Sequence, residues 1–404
     1  RPGLLGQLLA VRPQHQRGVQ VARLGQAQRA LQQDLARRVV GQVLAAHHVA
    51  DALLGVVDHD GELVGPEPVG APEHEIADLG GHVLLLGAEP SVHPVHGRCA
   101  VGAQAPGAGR PAVQAGPAGA GVDRRAVALA RLAQRGLGDV VLLDVAQGTA
   151  RGKALDILQT SAVELFDSQV LGTSDYADTA GSDVVVLTAG SPRRPGLSRD
   201  DLLAINARVV AGCCRQIAQT SPQAVLITVT NPLDAMTFVA MRESGFPRQR
   251  VLGMAGVLDS ARFRTFVALE LGVSVRDVQA LVMGGHGDSM VPMPRHCFVG
   301  GVPLTELLPP ERVSALVERA RRGGDEIVKL LETGSAFYAP AASIVQMAEA
   351  ILRDQRRVLP AAALLQGEYG VSGLFVGVPC LLGGSGLERV CEIALDEGER
   401  AAFE

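Results

Sequence analysis

Three short runs, Val140–Asp144 (VVLLD), Val184–Thr188 (VVVLT) and Ala224–Val229 (AVLITV), are almost wholly apolar, with no alternation of polar and apolar positions. Such runs suit strands buried on both faces, as in a parallel sheet covered by helices. Helical patterns separate them: Ala126–Arg135 and Lys153–Thr160 flank the first run, and Asp200–Thr220 reads as a long helix between the second and third. Strands alternating with helices imply a doubly wound parallel sheet with right-handed crossovers, which places ligands outside the carboxyl ends of its strands.

After about Gly253 the pattern becomes mixed. A helix at Leu258–Leu271 precedes strand-like Val278–Met283 and Val291–Val302. Long helices follow at about Glu311–Leu331 and Ala341–Leu352, then strand-like Arg357–Leu365. The expected organisation is therefore an α/β dinucleotide-type domain over residues 119–257 and an α+β substrate domain over 258–404.

Residues 1–118 are different in kind. They contain no lysine and no aromatic residue, whereas all twelve Phe and Tyr residues lie at or after Phe166. Stretches such as Ala105–Ala120 (APGAGRPAVQAGPAGA) cannot build a packed core, and the patches Val39–Leu54 and His82–Leu86 connect to no recognisable unit. An additional domain, a targeting peptide and translation outside the true frame are the competing readings. The acidic residues and the length weigh against targeting. The abrupt change of texture, in a chain whose first residue is Arg1, fits a slip of frame best.

The net charge of −5 gives no reason to expect a nucleic-acid partner, and no apolar run reaches membrane-spanning length. The six cysteines include no Cys-x-x-Cys and no zinc-like Cys/His spacing, so unpaired thiols, no metal and a reduced, cytoplasmic setting are the simplest expectation.

Several residues stand where chemistry would need them. Asp144 ends a buried strand, the position from which a carboxylate accepts hydrogen bonds from the adenosine ribose and favours NAD over NADP; alone it reads equally well as a cap for the next turn. Its expected companion is a glycine-rich turn that admits a pyrophosphate at a helix N-terminus. Gly119 and Gly121 supply two glycines, but Val122-Asp123-Arg124-Arg125 follows where a third should stand, and no apolar first strand precedes them.

Thr188-Ala189-Gly190 closes a strand and leads into Ser191–Leu203 (SPRRPGLSRDDLL), a basic Gly/Pro-hinged loop of the kind that closes over an anion. Arg193, Arg194 and Arg199 read there either as anion ligands or as solvated charges. Val229, Thr230 and Asn231 end the next strand at the ligand crevice, where Asn231-Pro232 would also serve as a helix start. Asp259 and Arg262, three apart on a helix, share one face and could be a surface ion pair. His286 sits between glycines in Met283–Pro292 (MGGHGDSMVP), open to a cleft and suited to acid/base work.

In order along the chain, GDVVLLD, TAGSPRRPGLSRDDLL, TVTNPLDAMT, GMAGVLDSARFR, MGGHGDSMVP and GSAFYAPAAS resemble the malate and lactate dehydrogenase family, in particular its lactate-dehydrogenase-like bacterial malate dehydrogenase type. The resemblance runs from about Leu132 to Glu404. It implies a Rossmann sheet and NAD-dependent, reversible oxidation of (S)-malate to oxaloacetate, as in the tricarboxylic acid cycle. His286 would be the general base and Asp259 its orienting partner. Arg262 would grip the C1 carboxylate, Arg199 would polarise the ketone oxygen, and Asn231 would lie near the substrate hydroxyl and nicotinamide. Asn206 would contact the cofactor, beside Gly119, Gly121, Asp144, Val229 and Thr230. Arg193 stands where malate enzymes have arginine and lactate enzymes a neutral residue; Gly285 also fits the malate type. A homodimer or homotetramer is implied, with malate and oxaloacetate as the small-molecule partners.

Two departures stand beside the resemblance: the missing first strand and third glycine, and an ending at Ala401-Ala402-Phe403-Glu404 where the family continues into a longer helix. Two alternatives remain open, a lactate or other 2-hydroxy-acid dehydrogenase and a folded oligomer without a competent dinucleotide site.

Overall fold

The computed structural model describes residues 82–86, 98–101, 124–191, 198–332 and 335–403. Strands β1 (His82–Leu86) and β2 (Arg98–Val101) precede helix α1 (Arg124–Gln134), β3 (Asp139–Asp144) and α2 (Gln147–Gln159). Next come β4 (Val170–Thr173), β5 (Val184–Leu187), α3 (Arg199–Thr220), β6 (Val225–Thr228), α4 (Leu233–Ser244) and β7 (Val251–Gly253). Strands β3 and β4 pair in parallel, as do β5, β6 and β7, and the order β4-β3-gap-β5-β6-β7 is that of a doubly wound sheet.

The apolar runs dictate this arrangement. All four residues of β5 and all four of β6 are buried, so these strands lie at the centre with helices on both faces. Each fully buried Val, Leu or Ile contributes roughly 1.5–3 kcal/mol relative to exposure. Two separate apolar layers result. One includes Leu129 and Leu132 of α1 beneath Val184 and Val186, and the other includes Val210 and Ile217 of α3 against Val185 and Leu187.

The gap between β3 and β5 is the place of a first parallel strand. Both upstream strands register there: β1 antiparallel to β3 over His82↔Asp144 to Leu86↔Val140, and β2 parallel to β3 at Arg98↔Asp139 and Val101↔Leu142. The patch His82–Leu86, which connects to no unit in the sequence, thus enters the sheet.

Helix α5 (Gly256–Leu271) opens the second half. It is followed by β8 (Val278–Gln279), β9 (Val282–Gly284), β10 (Met290–Pro292), β11 (Phe298–Val299) and β12 (Val302–Pro303). Pro292 and Pro294 break the expected continuous strand Val291–Val302, because proline removes the ladder donor. Long helices α6 (Pro310–Leu331) and α7 (Tyr338–Leu352) precede the hairpin strands β13 (Arg357–Gln366), β14 (Ser372–Gly383) and β15 (Gly386–Val390), with α8 (Glu397–Phe403) last. Strand β13 pairs with β7 through Ala362↔Gly253, so one mixed sheet runs across both halves. Among the described residues no helix is long and apolar enough to cross a membrane.

Candidate active site

Two elements bring the acid/base pair together. Asp259 lies in the first turn of α5, where the helix N-terminus favours a negative side chain. His286 follows β9 on a tight turn. Gly284, at φ +82°, begins that turn, and a Cβ there would stand 2.6 Å from the Ser289 carbonyl oxygen, so only glycine lets the chain reverse so closely. Gly284 also registers with Gly377 of β14, which fixes the turn on the sheet.

Asp259 is 2% exposed and divides its oxygens between two partners. Oδ2 lies 2.8 Å from His286 Nδ1, and Oδ1 accepts a hydrogen bond from Arg262 Nη1 at 3.0 Å. Nε of Arg262 is buried without a hydrogen-bond partner among the described residues. The same helix face therefore delivers a carboxylate to the histidine and a cation beside it, as the i, i+3 spacing predicts.

A second carboxylate, missed in the sequence, stands behind the histidine. Asp234 Oδ2 accepts the His286 backbone N–H at 3.2 Å, and Asp234 Oδ1 is buried with no partner among the described residues. In the sequence Asp234 reads as an ordinary first-turn acid of the helix after Pro232; only the tertiary fold carries it to the histidine turn. Burial pushes its carboxyl up to about 6, with Asp259 adding to the rise. For His286, burial pulls the imidazolium toward neutrality, but the charge and hydrogen bond of Asp259 and the charge of Asp234 outweigh it. The net shift is upward.

The crevice wall is formed by the carboxyl ends of β3, β5 and β6. Asp144 is 2% exposed, and its Oδ1 accepts the Ala146 N–H at 2.9 Å, so the carboxylate also caps the turn into α2. Val229 and Thr230 are buried and Asn231 is exposed. Thr230 Oγ1 donates to the Ala189 carbonyl at 2.6 Å, tying the ends of β5 and β6 together. Asn206, from α3, is buried with its amide directed at Ser191 and Asn231. Arg199 is the first residue of α3, after a capping box in which Ser198 Oγ accepts the Asp201 N–H at 3.0 Å and Asp201 Oδ2 accepts the Ser198 N–H at 3.1 Å. Gly119, Gly121 and Arg193 lie outside the described residues. The donor set that is described, a buried strand-end carboxylate and a polar strand edge, fits the ribose and nicotinamide ends of a dinucleotide.

Models of the lactate/malate dehydrogenase family match most of the described chain. Its NAD binding domain matches residues 117–253, and its alpha/beta C-terminal domain matches residues 256–404. A malate dehydrogenase of Heliobacterium modesticaldum is 56% identical over 271 residues, covering 67% of this chain and 88% of the relative. One from Bacillus thuringiensis is 57% identical over 275 residues, covering 68% and 88%. Among solved structures, malate dehydrogenase from Salinibacter ruber is similar with a TM-score of 0.66 and 50% identity, over 69% of this chain and 89% of that one. A Cryptosporidium parvum lactate dehydrogenase complexed with lactic acid and nicotinamide adenine dinucleotide is similar with a TM-score of 0.67 and 42% identity, over 70% and 91%.

Proposed function

The chain belongs to the lactate/malate dehydrogenase family, and from that premise we propose that it catalyses the reversible oxidation of (S)-malate to oxaloacetate with NAD. The observation that carries the chemistry is the 2.8 Å contact between Asp259 and His286, with the same carboxylate bound to Arg262.

Asp259 engages Nδ1, so Nε2 is the nitrogen left to take the C2 hydroxyl proton, and the buried carboxylate stabilises the imidazolium that forms. When bound, NAD supplies the hydride acceptor. Arg262 grips the C1 carboxylate through a two-pronged contact; its unpartnered Nε supports this role. Arg199 polarises the ketone oxygen in the reverse direction, and Asn231 lies against the hydroxyl and the nicotinamide. Asp144, Val229 and Thr230 line the dinucleotide crevice, and Gly119 and Gly121 belong to its phosphate turn. Arg193 meets the second carboxylate of oxaloacetate, which needs a cation in a water-poor site.

The active species is a homodimer or homotetramer. Val163 and Leu165, 81% and 86% exposed, support this, since apolar side chains of that exposure on one short segment suit burial against another copy. The reading of residues 1–118 as translation outside the true frame rests on their composition and is opposed by the pairing of β1 and β2 with β3, while 119–257 and 258–404 are the two working domains; resequencing the DNA around codons 110–130 exposes the slip, and an intact frame there contradicts it. A cytoplasmic location accords with the free thiols of Cys213, Cys214, Cys297, Cys380 and Cys391.

A second reading is a folded chain without a competent dinucleotide site. It is favoured by the sequence of the phosphate turn, where Val122-Asp123-Arg124-Arg125 follows Gly121 in place of a third glycine, although β2 enters the gap parallel to β3 and β5. Titration with NADH, followed by fluorescence, together with oxaloacetate-dependent NADH oxidation separates the two. Binding with turnover supports the dehydrogenase, and absence of both supports the second reading.

A further inference from the structure

Asn206 lies within α3 and is 1% exposed, yet its amide serves the main chain of two strand ends rather than its own helix. Oδ1 accepts the Ser191 N–H at 2.7 Å. Nδ2 donates to the Asn231 carbonyl at 2.7 Å and to the Ser191 carbonyl at 3.2 Å. An asparagine amide has two donors and one acceptor oxygen, so both donors and one lone pair are already spent on protein.

The backbone is shaped to this amide. Gly190 stands at φ +146°, and a Cβ there would lie 2.8 Å from Asn206 Oδ1 and 2.7 Å from Thr230 Cγ2. On the other side Thr230 Oγ1 reaches the Ala189 carbonyl. The strand ends after β5 and β6 are thus stapled twice, and the second staple holds the peptide of the exposed residue Asn231.

We propose that Asn206 is a positioning residue that fixes the Asn231 peptide at the crevice, rather than a group that contacts the cofactor. The proposal rests on the dehydrogenase reading above for its kinetic consequences, while its structural basis does not. Removing the amide frees the Asn231 peptide plane, so the cost falls on the chemical step that Asn231 serves. Dinucleotide affinity, set by other groups of the crevice, stays.

The test uses Asn206→Leu, which removes all three bonds, and Asn206→Asp, which keeps the acceptor for Ser191 and loses both donors. In the unliganded protein, amide exchange at Ser191 rises at least about tenfold in Asn206→Leu, because a buried N–H has lost its acceptor. With oxaloacetate, kcat falls about tenfold or more while the NADH dissociation constant stays within about threefold. Combined with Asn231→Ala, Asn206→Leu costs no more than about threefold beyond Asn231→Ala alone, as expected for two residues acting through one group. Should Asn206→Leu not fold, Asn206→Asp, which releases the Asn231 carbonyl while keeping the Ser191 acceptor, carries the kinetic and double-mutant readouts, with Ser191 exchange unchanged as its internal control. The proposal is overturned if NADH affinity falls tenfold with kcat preserved, or if the two losses multiply. If the wild-type chain turns over no oxaloacetate, the functional reading fails, and unchanged Ser191 exchange in Asn206→Leu would then overturn the staple independently.

Discussion

Asp259 Oδ2 lies 2.8 Å from His286 Nδ1, in a pair whose acid is 2% exposed and whose histidine is 17% exposed at the side chain. A carboxylate so placed holds the ring and favours its cation. Asp259→Asn keeps the shape but removes the charge, and the expected loss in kcat is about 10²–10⁴-fold. Steady-state kinetics in both directions checks this; a loss below threefold contradicts it.

The raised affinity of His286 for its proton has a direction in pH. The imidazolium is required to reduce oxaloacetate and the neutral ring to oxidise malate. The His286 limb is therefore displaced to the alkaline side of an unperturbed histidine, about 6.5, with reduction falling and oxidation rising as pH increases through it. The same sign governs stability. The contribution of the His286–Asp259 pair is fully present below the unfolded histidine value and is lost as pH rises through the folded one. Profiles of kcat/KM and of thermal midpoint against pH should share this limb.

Asp234 adds to that displacement from behind. Asp234→Asn retains an acceptor for the His286 N–H but removes a buried negative charge, so the His286 limb shifts to lower pH. The wild-type Asp234 carboxyl, pushed up to about 6 by burial, binds its proton more tightly folded than unfolded. Its contribution to stability is therefore present below the unfolded value and lost as pH rises through about 6. Asp234→Asn should flatten that loss in thermal melts between pH 4 and about 7; an unaltered pH dependence of both activity and melting contradicts the assignment.

Asp144 stands at the carboxyl end of β3 with its carboxylate buried. Asp144→Ala should weaken NADH about tenfold or more, as expected for lost hydrogen bonds to a charged group, and should reduce the preference over NADPH. Fluorescence titration with both cofactors measures it. Equal affinities in mutant and wild type would place the ribose elsewhere.

Much of this site is legible in the amino-acid sequence. The buried strands VVLLD, VVVLT and AVLITV appear at β3, β5 and β6 because unbroken apolar runs have few other uses. Asp259 and Arg262 share a face because helical spacing requires it. Asp234 is not legible, since nothing local distinguishes it from other helix-start acids and its partner lies fifty-two residues on. The role of Asn206 is hidden for the same reason: its bonds run to Ser191 and Asn231, across two strand ends. Nor does His82–Leu86 announce its place beside β3: Gly80-Gly81 and Gly87 bound it as a short apolar run, but nothing local names Val140–Asp144 as the strand it pairs with.

Selectivity for the four-carbon diacid is read by comparing kcat/KM for NADH oxidation with oxaloacetate and with pyruvate, in the wild type and in Arg193→Gln. Wild type should prefer oxaloacetate by about 10²-fold or more, the cost of leaving a carboxylate or its cation unmatched, and Arg193→Gln should lose most of that preference while gaining pyruvate turnover. A wild type that favours pyruvate, or a substrate ratio unmoved by the substitution, would contradict the account.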